Sequence, residues 1–196
     1  MNLRDERGFL MIEVVAAIMI LTIALLALMA GYDSAFISLH KSSQEATAAT
    51  LANQQLELYR SLPYNSIGLD KTTTQNIGDS SNAAYDETYA ANSLLDGDWV
   101  PDPSDPSQQI QQPNGTVNEV TISGCGTAPS CEPVQTVAGI DGRNYRIETY
   151  IRDRPNNTAI TWPERVVTVI VQDADSSDLT EILRVETAFD QGPPGA

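Results

Sequence analysis

The chain has 196 residues, enough for one compact domain or for one long element carrying a compact head. It holds 26 acidic against 11 basic residues, a net charge of −15, and only 6% aromatic residues. An acidic surface repels phosphate backbones, so no nucleic-acid binding is expected of the bulk of the chain. One histidine (His40) and two cysteines spaced unlike a C-x-x-C or zinc-ribbon pair give no expected metal or cofactor site.

In chain order, residues 1–8 are short and polar, with Arg4 and Arg7, and end in Gly8. An apolar run follows from Phe9 to Ala30, and residues 9–32 carry a single charged group, Glu13. The run is long enough to cross a hydrocarbon core, which takes about 20 helical residues. The arginines ahead of it keep the N-terminus cytoplasmic and send the remainder outward. An ordinary secretory signal has a shorter apolar stretch and a small-residue cleavage site after it, and neither is found here. A carboxylate inside such a run costs about 2.5–3.5 kcal/mol on insertion scales, so Glu13 calls for a partner.

Gly8-Phe9-Leu10-Met11-Ile12-Glu13 resembles the prepilin cleavage and methylation motif of type IV pilin-like proteins. There, a short leader ends in Gly, an aromatic residue opens the mature chain and Glu stands fifth in it. Leu10 departs from the Thr often found second. The resemblance implies cleavage between Gly8 and Phe9 by a prepilin peptidase, N-methylation of Phe9, and assembly through Glu13. The new Phe9 amine is a cation, and a Glu13 carboxylate on a neighbouring subunit neutralises it, setting a one-subunit stagger. The implied partners are the peptidase, other pilin subunits, the pilus assembly platform and membrane lipid around residues 9–31. The implied location is the cytoplasmic (inner) membrane, single-pass, with the head outside and an extracellular filament after assembly.

Beyond the span, Tyr32, Phe36, Leu39, Ser43, Ala46, Ala49, Ala52, Leu56 and Tyr59 recur at three- or four-residue steps, as one face of a helix does. Pro63 stops the pattern, predicting one helix from about Leu10 to Ser61 with a transmembrane half (9–31) and an amphipathic half (32–62). The stretch Ala49–Tyr64 also resembles the same region of many minor pilins. Many pilins carry a proline near the position of Ala30; here Gly31 is the only helix weakener in the apolar half.

Residues 63–135 read as an irregular, loop-rich connection. The run from Thr72 is turn-rich, and the prolines after Trp99 argue against a regular ladder, with short strands expected only at Val117–Ile122 and Pro133–Val137. Within it lie Cys125 and Cys131. In an exported head they close a short Gly/Pro loop as a disulfide; the alternative is two free thiols in a surface loop.

Residues 136–190 read as an antiparallel sheet. Strands are predicted at Asn144–Asp153, Arg165–Gln172 and Glu181–Phe189, with a turn at Pro155–Thr158 and a flexible tail at 191–196. The fold class is therefore α+β: a long N-terminal helix packed against a small C-terminal antiparallel sheet, as in pilins.

Asp173, Asp175 and Asp178 resemble the calcium loops of some secretion pseudopilins, yet lack an EF-hand frame and read as a solvated turn. Asp96, Asp98, Asp102 and Asp105 read the same way. No nucleophile motif, phosphate loop or framed carboxylate pair is present, so no enzyme is expected. The expected function is a structural subunit, more minor than major, of a type IV pilus or a type II secretion pseudopilus. The competing reading is a single-pass, membrane-anchored binding module that never polymerises.

Overall fold

The computed structural model describes residues 6–95, 98–101, 109–112, 119–154 and 163–192. The chain divides into two compact units, one ending at Gln44 and one beginning at Glu45. A single helix, α1 (Glu6–Arg60), runs through that boundary. It starts ahead of the expected Leu10 and passes Gly31 without a break. At its far end the Ser61 and Leu62 amides bond back to the carbonyls of the last turn, and Pro63, with no amide to offer, follows.

In the first unit α1 is apolar on every side over Met11–Gly31 apart from Glu13 and Thr22, and buries none of that stretch. Large side chains from Met11 to Leu39 stand exposed, Ile12 at 66% and Leu26 at 62%. Thr22 satisfies its hydroxyl locally by donating to the Ile18 carbonyl at 2.7 Å.

In the second unit the rest of α1 lies on a sheet. The elements after it are a 3-10 turn (Tyr64–Ser66), β1 (Leu69–Asp70), α2 (Lys71–Gly78), α3 (Glu87–Leu95), β2 (Asp98–Pro101), β3 (Gln109–Gln112), β4 (Thr121–Ile122), β5 (Val134–Ala138), β6 (Asn144–Arg154), β7 (Glu164–Asp173) and β8 (Glu181–Asp190). The main sheet is four-stranded and antiparallel in the order β5-β6-β7-β8. Its register pairs Ile147 with Val171 and Ile151 with Val167 across β6–β7, and Val167 with Thr187 across β7–β8.

The continuous β-branched run of β7 is explained by burial on both sides. One face of β6 and β7, with Tyr145, Ile147, Ile151, Val167, Val169 and Val171, packs on Ala48, Ala52, Leu56 and Tyr59 of α1. Fully burying a side chain such as Leu56 contributes about 1.5–3 kcal/mol. On the other face Tyr150 and Ile170 meet Tyr89 of α3, and the Tyr89 and Tyr150 rings stack 4.6 Å apart. The sheet is thus the middle of three layers.

Three expectations need correction. The connection over 63–135 is not simply irregular, because it carries α2, α3 and two short ladders, β1 with β4 and β2 with β3. Asp70 caps α2 by accepting from the Thr73 amide at 2.9 Å, and Asp86 accepts from the Tyr89 amide at 3.0 Å in the first turn of α3. These caps stand among Ser, Thr and Asn, whose turn preference masks the short helices.

Trp99 does belong to a ladder, β2 pairing with β3 so that Trp99 faces Gln111. Pro101 closes the end of that two-stranded ribbon, where its missing amide does not interrupt a central strand. Last, the buried face of α1 departs from the predicted one at its start: Thr47 and Ala48 are buried, while Ser43 and Ala46 are exposed. Thr47 and Gln55 are polar members of that face, which a search for apolar residues passes over.

The expected strand at Val117–Ile122 is reduced among the described residues to β4, which pairs in parallel with β1. The turn at Pro155–Thr158, Asp96, Asp102, Asp105 and the tail from 193 lie outside the described residues.

Candidate functional site

The N-terminal candidates share one element. Gly8, Phe9 and Glu13 all fall in the opening turns of α1, with Phe9 and Glu13 four residues apart, about 6 Å of rise. Glu13 is exposed, as are Ile12 and Val14 beside it. From Phe9 to Tyr32 no other charged residue occurs, so the stem offers this carboxylate no cation of its own. The helix meets the length and composition of a membrane span, and its most apolar stretch is unburied. Farther along, the exposed rings of Tyr32 and Phe36 lie 5.4 Å apart, amphipathic and aromatic groups of the kind that settle at a membrane–water interface. Chemically, the stem can bury itself in lipid or among like helices, and its one acid can receive one cation from another chain.

The second candidate is in the head. Cys125 and Cys131 are joined by a disulfide, with Cα atoms 5.9 Å apart. Gly124 and Gly126 take φ values of 76° and 71°, a left-handed geometry that costs glycine little. The ring is held from three sides. Gln55 of α1 donates to the Pro129 carbonyl at 2.9 Å, Gln135 of β5 donates to the same oxygen at 2.6 Å, and the Asp70 amide donates to the Cys131 carbonyl at 2.8 Å. Hydrogen bonds from Thr73, and further ones from the Gly126 and Thr72 amides, hold the Asp70 carboxyl below its ordinary range. The bridge therefore ties α1, β1 and β5 together and is structural.

Sequence reasoning missed a buried polar layer between the sheet and α3. Glu148 is fully buried; its carboxylate accepts from Arg146 Nε at 2.8 Å, Asn92 Nδ2 at 2.8 Å and the Tyr150 hydroxyl at 2.7 Å. Arg146 also reaches Asp86 at 2.8 Å, and buried Arg152 pairs with Glu119 at 3.2 Å. Burial, and then the Glu148 charge, drive the Tyr150 hydroxyl far above its ordinary pKa, so it stays a proton donor. In the sequence, Arg146, Glu148 and Arg152 alternate with apolar residues and read as the solvated side of a strand. No local signal tells them from surface charges.

Among the described residues no group of three or more His, Cys, Asp or Glu is placed to hold a metal. In the β7–β8 connection Asp175 accepts instead from the Asn144 amide and side chain at 3.2 and 3.1 Å, a structural link between hairpins. His40 stands exposed on α1. Compared with models of protein families, with curated proteins and with solved structures, the chain finds no match.

Proposed function

We propose that this chain is a structural subunit, minor rather than major, of a type IV pilus or a related type II secretion pseudopilus. A prepilin peptidase removes residues 1–8 and methylates the amine of Phe9. The subunit then waits in the cytoplasmic membrane with its head outside, and enters the filament when its stem joins other pilin stems at the assembly platform. The observation that carries this reading is the stem, whose large apolar side chains from Met11 to Leu39 stand exposed, with Glu13 the single charged residue between Phe9 and Tyr32. A plain anchor gains by losing that acid, whereas a stacked helix uses it to meet the amine of the next Phe9.

The test is intact-mass spectrometry of the protein recovered from its host's membrane, followed by a Glu13→Ala variant. The expected mass lacks Met1–Gly8 and carries one added methyl group. The variant is expected to insert normally and to vanish from the sheared filament fraction. A retained leader in cells with active peptidase would favour the non-polymerising membrane-anchored module instead, whereas unchanged incorporation of the variant would overturn the role of Glu13 in assembly.

A further inference from the structure

The two edges of the main sheet differ. β5 is five residues long, whereas β8 is ten residues long, contains no proline, and has no strand paired across its outer edge among the described residues. The hydrogen-bond phase of that edge follows from one bond. The Gln191 amide donates to the Pro163 carbonyl, so residues an even number of places back along β8, such as Phe189 and Thr187, also turn their amides toward β7. The amides and carbonyls of Arg184, Ala188 and Asp190 therefore point away from β7, toward the open side. Natural edges are blunted by brevity, proline or inward-pointing charge. β8 has none of these, and its one bulge, opposite Val171 and Gln172, leaves Arg184–Asp190 regular; Ile182, Val185 and Phe189 point toward the core and are only partly buried there.

At the end of this strand lies a cleft of about 310 Å³. Leu62, Ile67 and Phe189 supply its apolar lining, while Tyr64, Glu164 and Asp190 supply polar groups. Arg165 stiffens one wall: its guanidinium sits 4.8 Å from the centre of the Tyr64 ring and donates to the Tyr64 and Ile67 carbonyls at 2.9 and 2.6 Å. The charge is one-sided as well. β8 carries Glu181, Glu186 and Asp190 against Arg184 alone, in a chain of net charge −15.

We infer that β8 is a strand-addition site for an extended, basic segment of a partner protein. The segment pairs with the outward amides of Arg184, Ala188 and Asp190, places an apolar side chain in the cleft beside Phe189, and sets a lysine or arginine against Asp190, Glu164 being already paired with Arg154. Main-chain bonds supply adhesion and the cleft supplies selectivity, the usual division in strand addition. A second copy of this acidic chain is the wrong occupant, since like charge opposes its approach. The inference concerns the head alone and stands whether or not the stem polymerises.

The test uses the full chain in lipid nanodiscs and a fluorescent peptide of about ten residues that alternates lysine with valine and ends in phenylalanine. Saturable binding is expected, with slowed amide exchange within 181–190. Replacing lysine by glutamate, or alternate residues by proline, is expected to weaken binding at least about tenfold. Ala188→Pro removes one outward amide and no β7 bond, and is expected to weaken binding by about the same factor. If that variant misfolds, Asp190→Lys decides: it should weaken the lysine peptide and tighten the glutamate peptide. Absence of saturable binding, exchange protection outside β8, or equal binding of both peptides to Asp190→Lys would overturn the inference.

Discussion

One helix serves two environments here. Over Met11–Leu39 its large apolar side chains are exposed without exception, while from Thr47 to Tyr59 one face is buried against β6 and β7 and the other stays polar. The two halves have the same backbone hydrogen bonding and opposite ways of satisfying their side chains. Helix geometry therefore says little about what a helical segment does. The width of its apolar stripe says much more, because a stripe on one side asks for a sheet and a stripe on all sides asks for lipid or other helices.

The contrast can be broken most directly at Tyr59. That side chain is fully buried against the sheet, and burial pushes its hydroxyl up to about 12. Tyr59→Ala should cost the head about 3–5 kcal/mol, by loss of transfer energy and by the cavity left behind. Denaturant unfolding followed by tyrosine and tryptophan fluorescence would measure it, and a loss below about 1 kcal/mol would mean that the head does not depend on α1.

Acid provides a milder perturbation. Asp70 and Asp141 both have carboxyls held below the ordinary range, Asp70 first by the Thr73 amide and Asp141 first by the Tyr145 hydroxyl, 2.6 Å away. A depressed folded-state pKa means that the unfolded chain binds more protons. This stability is therefore present above the ordinary carboxylate pKa, near 4, and is lost as pH falls through the lower folded values. The melting temperature of the head should fall progressively below about pH 4, and Asp70→Asn should flatten part of that fall. The smallest effect belongs to the stem. Leu25→Ala, at a side chain 53% exposed, should change head stability by no more than about 0.5 kcal/mol in the same unfolding measurement.

Legibility in the sequence followed the strength of local pattern. Val166–Val171 has the composition of a buried strand, Glu181–Phe189 alternates as an edge does, and Pro63 marks the end of α1. The stem was equally plain, because an uncharged run around one Glu is a chemical anomaly visible without coordinates. What stayed hidden depended on contacts between distant segments. α2 and α3 are short and owe their place to Ile77 and Tyr89 packing toward Tyr150 and Ile170, a decision made by tertiary structure over propensity. Glu148 looks like any strand carboxylate until Asn92, Arg146 and Tyr150 close around it. The polarity of Thr47 and Gln55 on an otherwise apolar face hid the start of the helix–sheet contact in the same way.

The core joins positions far apart in the chain, Ala52 and Leu56 on one side and Val167–Val171 on the other. Non-local pairing of this kind makes folding slow, since a long loop must close before any contact rewards it. At translation rates of about 5–20 residues per second, the ribosome needs on the order of ten seconds to go from the end of α1 to the end of β7. Throughout that interval the amphipathic half of α1 is complete and has no sheet to cover it. The nascent chain must therefore keep Leu56 and Tyr59 from other apolar surfaces until its last third arrives, which makes α1 the segment where a holding chaperone would act during synthesis.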